Sequence, residues 1–302
     1  MENNKKLLGG TFMRLSTSTG TLSKRFGHEE AIRRLAAAGY DCLDFTATQP
    51  WGEANPVYGD NFRETARRIR AVADECGITF NQAHAPFRFT VEESENYETV
   101  IIPIQIRALE FASILGVKNL VIHPIHHLDF RGNEQYLHDI NMDFYKKLIP
   151  YAEKWNVNIA VENMWRRDPK RKFISHDTCS QPEEHAAWID ELDHPRIVAC
   201  LDVGHSALVG VEPEDAIRYL GAKRLQSLHV HDVDYITDLH TLPYQGKVNW
   251  AEITKALKEI GYEGDFTYEA GNFLLGYPDE FLDMPIRFMV ETGRFLISQI
   301  EC

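Results

Sequence analysis

Short apolar runs and longer helical patterns alternate from one end of the chain to the other, and this alternation limits the fold more than any single motif. Strand-like runs are expected near Leu7–Met13, Cys42–Thr46, Thr79–His84, Asn119–His123, Val157–Glu162, Ile197–Asp202, Leu225–His231 and Asp265–Glu269. Helical patterns follow them at His28–Ala38, Asn61–Cys76, Tyr97–Leu115, Gln135–Trp155, Pro182–Leu192, Pro213–Leu220, Trp250–Ile260 and Glu280–Ile300. Many of these helices run into glycine (Gly39, Gly77, Gly116, Gly221, Gly261), the residue that closes a helix at least steric cost. Runs such as Ile159-Ala160-Val161 and Ile197-Val198-Ala199 are continuous rather than alternating, as strands covered by helices on both faces are. Eight such units in 302 residues give about 38 residues each, the usual repeat of a (β/α)8 barrel. No composition break marks a linker, so residues 1–302 read as a single α/β domain, one (β/α)8 TIM barrel. A doubly wound open sheet is the alternative, but no Gly-x-Gly-x-x-Gly loop follows the first strand.

Composition narrows the function classes. No apolar run approaches the roughly 18 residues of a membrane span, and the N-terminus lacks the long apolar region of a secretory signal. The five cysteines are odd in number and lack metal-ligand spacing, which fits free thiols in a reducing cytoplasm. A formal net charge of −13 argues against duplex DNA as the main partner, because such binding draws its affinity from neutralised phosphates.

In a barrel of this kind the site lies at the C-terminal ends of the strands, so the residues placed there are a direct functional test. They are His84, His123, Glu162, Asp202 with His205 following, His229 and Glu269. A carboxylate after an apolar strand is costly to bury without a cation or a proton, which singles out Glu162 and Glu269. The stretch Ser227–Trp250 is the densest: His229, His231 and Asp232 are followed by Asp238 and His240. Imidazoles and carboxylates so close together suit a divalent metal better than a core.

The pieces Val161-Glu162-Asn163, Leu201-Asp202-Val203-Gly204-His205, His229-Val230-His231-Asp232 and Tyr268-Glu269 resemble the xylose-isomerase-like barrel superfamily over nearly the whole chain. That superfamily holds sugar and sugar-phosphate isomerases and epimerases, dehydratases, and AP endonucleases of family 2 such as endonuclease IV. The resemblance implies that Glu162, Asp202, His229 and Glu269 bind one divalent metal (Mn, Mg, Co or Zn), that Glu162 and Glu269 move the proton, and that His205 contacts substrate. It also implies a homo-oligomer, as barrels of this group are often dimers or tetramers. The three-zinc set of endonuclease IV matches the same residues together with His84, His123, His205, Asp238 and His240, so these five are possible additional ligands. Asp238 and His240 therefore stand between a second metal position and rim residues ordering the loop over the substrate, while His231 and Asp232 orient that loop.

A basic loop, Trp165 to Lys172, follows Glu162 and reads either as a solvated surface or as a site capturing a sugar phosphate, with Arg166, Arg167 and Arg171 as its arginines. One basic loop suits a small phosphate better than a duplex. Phe87, Trp165 and Tyr244 are aromatic residues able to pack on sugar faces. The expected activity is thus a metal-dependent isomerase or epimerase of carbohydrates, passing through an enediolate, with His84, His123, His205, Trp165 and Arg166 contacting a small sugar and no nucleic acid or membrane as partner. The alternatives are a polyol or keto-acid dehydratase on the same barrel, a multi-zinc phosphodiesterase acting on abasic DNA, and a non-catalytic ligand-binding barrel.

Overall fold

The computed structural model describes residues 12–46, 55–168 and 170–301. Eight strands form one parallel sheet: β1 Leu15–Ser18, β2 Cys42–Thr46, β3 Thr79–His84, β4 Asn119–Ile122, β5 Asn158–Glu162, β8 Ile197–Asp202, β9 Leu225–His229 and β10 Phe266–Tyr268. Between β5 and β8 the chain inserts an antiparallel hairpin, β6 Trp165–Arg167 and β7 Ile174–His176. The sheet runs β10-β1-β2-β3-β4-β5-β8-β9. It closes through one parallel bridge, Val230 to Tyr268, with Val230 N donating to Thr267 O at 2.8 Å and Glu269 N to Val230 O at 3.0 Å. The expected TIM barrel is therefore the fold.

Two apolar layers hold it. The larger lies between sheet and helices and includes Leu15, Leu43, Phe45, Ile159, Val161, Leu201, Phe266 and Tyr268, all at most 2% exposed. Burying each such side chain contributes about 1.5–3 kcal/mol, so this layer carries most of the stability. Inside the barrel a small apolar set, Val121, Ala160, Val198 and Cys200, gives way to polar pairs. Ser16 Oγ donates to Asn81 Oδ1 at 2.7 Å, Asn81 Nδ2 to Thr267 Oγ1 at 3.1 Å, and Asn158 Nδ2 to Asn119 Oδ1 at 3.0 Å. These side chains partner one another, which keeps the cost of burying them low.

That polar interior explains the displaced first strand. The apolar run drew the expectation to Leu7–Met13, of which residues 7–11 lie outside the described residues; Phe12 and Met13 are in no strand. The strand is Leu-Ser-Thr-Ser instead: Ser16 completes the polar interior through Asn81, while Leu15 on the opposite face feeds the outer layer. The fourth strand ends at Ile122 and leaves His123 one residue past it. The helix expected over Tyr97–Leu115 begins only at Ile101, and a separate short helix, Val91–Glu95, with a Thr90/Glu93 capping box precedes it. The helix starting at Pro213 is interrupted at Gly221, as expected, by non-helical angles (φ 65°, ψ 163°), and a further helical piece follows to Arg224. Short helices Gly20–Phe26 and Val203–Leu208 were not expected, and the second is capped by a ligand candidate, Asp202. Gly39 and Gly116 do end their helices in the left-handed conformation. Cys42, Cys76, Cys179 and Cys200 are free thiols, as anticipated.

Candidate metal and catalytic centre

At the strand ends of the barrel the described residues form four ligand groups whose donor atoms lie within 4.8 Å of one another. Glu162, Asp202, His229 and Glu269 make the richest. His84, His123 and Glu162 make a second, His84, His229 and Glu269 a third, and His205, Asp238 and His240 a fourth. Every candidate ligand read from the sequence is therefore brought to one place.

Glu162 is the hub. Its Oε1 accepts from His229 Nδ1 at 3.0 Å and its Oε2 lies 2.9 Å from His123 Nε2 and 3.6 Å from His84 Nε2. Those last contacts lack hydrogen-bond alignment, so Oε2 is a buried oxygen without a proper donor. His84 and His123 aim their Nε2 atoms at each other across 2.7 Å. Donor atoms crowded toward a common point, and misaligned with one another, are what a cation's ligands look like. The mixed carboxylate and imidazole set accommodates Mn²⁺, Mg²⁺, Co²⁺ or Zn²⁺.

The remaining candidate ligands are held by neighbours that fix their orientation. Asp202 Oδ1 caps its helix by accepting from His205 N at 2.7 Å and also meets His231 Nε2 at 2.9 Å. Asn163 clips the ends of β5 and β8 together, accepting from Asp202 N at 2.7 Å and donating to Asp202 O at 3.0 Å. His205 Nδ1 pairs with Asn163 O at 2.9 Å and His240 Nδ1 with Glu269 O at 2.9 Å. A ring that gives its Nδ1 proton to a carbonyl leaves Nε2 free as a ligand, and His240 Nε2 sits 3.0 Å from Asp238 Oδ2. His231 stacks on His240 with ring centroids 4.0 Å apart, joining the Asp202 and Asp238 groups.

Asp232 accounts for the whole loop that follows. Its fully buried carboxylate accepts from Val233 N, Tyr244 N, Val248 N and Trp250 Nε1 at 2.9 to 3.1 Å. That knot fixes the segment carrying Asp238 and His240, so Asp232 orients the loop as expected, while His231 pairs with Asp202 instead.

Sequence reasoning missed Asp44. It is fully buried on β2, and its Oδ2 lies 3.6 Å from His229 Nε2, on the far side of the ring from Glu162. A carboxylate behind a ligating imidazole orients the ring and raises its basicity. The signal was a lone acid inside the apolar strand Cys-Leu-Asp-Phe-Thr.

Electrostatics separate the two glutamates. Burial pushes Glu162 up, but His229 and His123 outweigh it and hold its carboxylate well below the usual range. Burial pushes Glu269 up to about 7, with His229 and His240 only partly offsetting it. Its side chain keeps 21% of its surface open, so this shift comes from the packing of protein around a group that still faces the cleft.

The cleft above these ligands has a volume of about 650 Å³, within the usual size of small-molecule sites. His84, His123, Glu162, Trp165, His205, Asp238, His240 and Glu269 line it, with Phe87, which stacks on His84 and His123. Asp202 and His229 are buried beneath the floor. Arg166 does not line the cleft: its Nε donates to Asp177 Oδ2 at 3.1 Å and its Nη2 to His126 O. Arg167 donates to Lys172 O and Ile236 O, and Arg171 is 72% exposed beside Asp168. The basic loop thus ties its own hairpin together, because acids and carbonyls nearby satisfy its guanidinium groups. Lys24 and Arg88 are the lysine and arginine that do line the cleft among the described residues. Tyr244 is 54% exposed outside it. Among the described residues no helix is long and apolar enough to cross a membrane.

Comparison with known proteins agrees with this architecture. An uncharacterised protein of Methanocaldococcus jannaschii is 27% identical over 196 residues, 63% of this chain, and the match spans 64% of that protein's length. A D-psicose 3-epimerase of Enterocloster bolteae is 26% identical over 249 residues, 78% of this chain and 74% of the epimerase. The crystal structure of a D-tagatose 3-epimerase-like protein superposes with a TM-score of 0.73 at 17% identity, over 96% of this chain and 100% of that one. Residues 32–281, the greater part of the barrel with all nine candidate ligands, match the family profile, and the chain belongs to the xylose isomerase-like TIM barrel family.

Proposed function

We propose that the protein is a divalent-metal-dependent isomerase or epimerase of sugars or sugar phosphates. The observation that carries this reading is the pair Glu162 and Glu269: two carboxyl groups lining one cleft, Glu162 held well below the usual carboxylate range and Glu269 raised to about 7. Moving a stereocentre beside a carbonyl needs a base to take the carbon-bound proton and an acid to return one. Groups whose surroundings drive their ionisation apart divide those roles. Glu162 takes the proton, the C–H electron pair moves into the enediolate, and Glu269 delivers a proton to the reacting carbon. The reverse reaction exchanges the roles. Glu162, Asp202, His229 and Glu269 would hold the cation, which when bound supplies Lewis-acid stabilisation of the charge developing on the substrate oxygens. His84, His123, His205 and Trp165 face the same space and would bind hydroxyl groups or pack on the sugar. The D-psicose 3-epimerases among the relatives support ketoses as the substrate class.

The His205, Asp238 and His240 group favours a second reading, a multi-zinc phosphodiesterase. The net charge of −13 and the internally satisfied arginines of the hairpin weigh against a duplex. The test is proton NMR of D-psicose and D-fructose in deuterated buffer with Mg²⁺ added. Loss of the signal at the carbon beside the carbonyl supports the epimerase. Absence of exchange, with about three zincs per chain and cleavage of an abasic duplex, overturns it.

A further inference from the structure

Beside the cleft lies a second cavity of about 190 Å³, which shares with it the walls made by Phe87, Arg88, His123 and His126. Its far side is built by Gln105, on the helix Ile101–Leu115, and by His127, on the loop after β4. Gln105 is 2% exposed; its Nε2 donates to Pro86 O at 2.8 Å, while its Oε1 is buried and accepts nothing. Both ring nitrogens of His127 are buried and make no hydrogen bond. Burial pulls the His127 imidazole below its usual range, so the neutral ring offers one donor and one acceptor. Arg88 stands at the seam between the two cavities, with the guanidinium carbon 5.5 Å from the Phe87 centroid. Its backbone is in the left-handed region at φ 70°, a strained conformation for a long side chain.

Buried polar atoms left without partners cost stability, and a fold keeps them where a ligand will meet them. Phe87, Phe89 and Phe144 line the same cavity. Donors and acceptors of mixed type beside aromatic side chains suit a group that carries both hydroxyls and apolar C–H surface. We infer that the side cavity is a second carbohydrate subsite, which takes a glycosyl or polyol group attached to the sugar held in the cleft. This rests on the sugar reading of the cleft and deepens it: the substrate is larger than one free ketose.

The experiment is calorimetric titration of the Mn²⁺-loaded protein with D-fructose and with a galactosyl-fructose disaccharide. The disaccharide should bind at least ~5-fold tighter, the worth of about one hydrogen bond. His127→Phe, which fills the cavity and removes both nitrogens, should make the two sugars bind equally. His127→Asn, which keeps a donor and an acceptor, should restore part of the difference. Equal binding by the unmodified protein, or a difference that survives in a folded His127→Phe, overturns the subsite. Deuterium exchange into D-fructose without a disaccharide preference removes the subsite alone; binding of neither sugar removes the reading of the cleft as well.

Discussion

Glu162 and Glu269 converge on one imidazole nitrogen, Nδ1 of His229, at 3.0 and 3.3 Å. They nevertheless ionise in opposite directions, because Glu162 also has His123 against it while Glu269 lacks a second imidazole as close. The asymmetry is built by neighbours rather than by the carboxyl groups themselves.

Replacing either carboxyl with its amide tests that asymmetry. Glu162→Gln and Glu269→Gln should each slow proton exchange at the substrate carbon at least ~100-fold while the circular dichroism spectrum is retained. Exchange that continues in either variant removes that residue from the acid–base pair.

A carboxyl raised to about 7 links cation binding to pH. With its folded value above the ordinary 4.5, protonated Glu269 stabilises the metal-free fold fully below about 4.5, and that contribution is lost as pH rises through about 7. A cation needs the carboxylate, so its apparent affinity should climb between pH 6 and 8 with release of protons. Calorimetry of Mn²⁺ binding in buffers of different ionisation heat measures both; affinity that stays flat across this range contradicts the assignment of Glu269 as a ligand.

Asp44 belongs to none of the ligand groups; it stands behind His229 and accepts from Gln82 Nε2 at 3.3 Å. Asp44→Asn should therefore weaken Mn²⁺ binding about 10- to 100-fold, the usual cost of losing such a supporting carboxylate. Unchanged affinity would leave Asp44 as a barrel-interior residue paired only with Gln82.

Asp232 gathers four donors, and Gly246 passes so close that a Cβ there would lie 2.3 Å from Asp232 Oδ1. Asp232→Ala leaves several buried N–H groups without acceptors and should cost about 3 kcal/mol in denaturant unfolding. Gly246→Ala should act in the same direction by pushing that carboxylate aside. If neither variant lowers stability, the knot does not hold the Asp238 and His240 segment.

The strand-end ligands were legible because a barrel sends successive strand termini to one rim, so His84, Glu162, Asp202 and His229 needed only the period of the chain to be placed together. Asp238 and His240 were legible as a pair, but their junction with His205 depends on the Asp232 knot, whose partners lie up to eighteen residues away in sequence. Arg166 was misplaced for a similar reason: its charge is visible in the sequence, whereas its acceptors, Asp177 and His126, come from two other segments. The first strand was hidden because hydropathy favours Leu7–Met13, while the barrel interior takes the hydroxyl of Ser16.

The barrel is fastened between β9 and β10 by the single bridge at Val230, whereas β4 and β5 pair through four successive residues. His229 and Glu269 flank that thin join, one on each side. A cation gripped by both would act as a clasp across it, so the amides of Val230 and Glu269 should exchange with solvent more slowly when Mn²⁺ is present than after chelation. An ion bound there would latch the cylinder shut as well as serve the proposed chemistry.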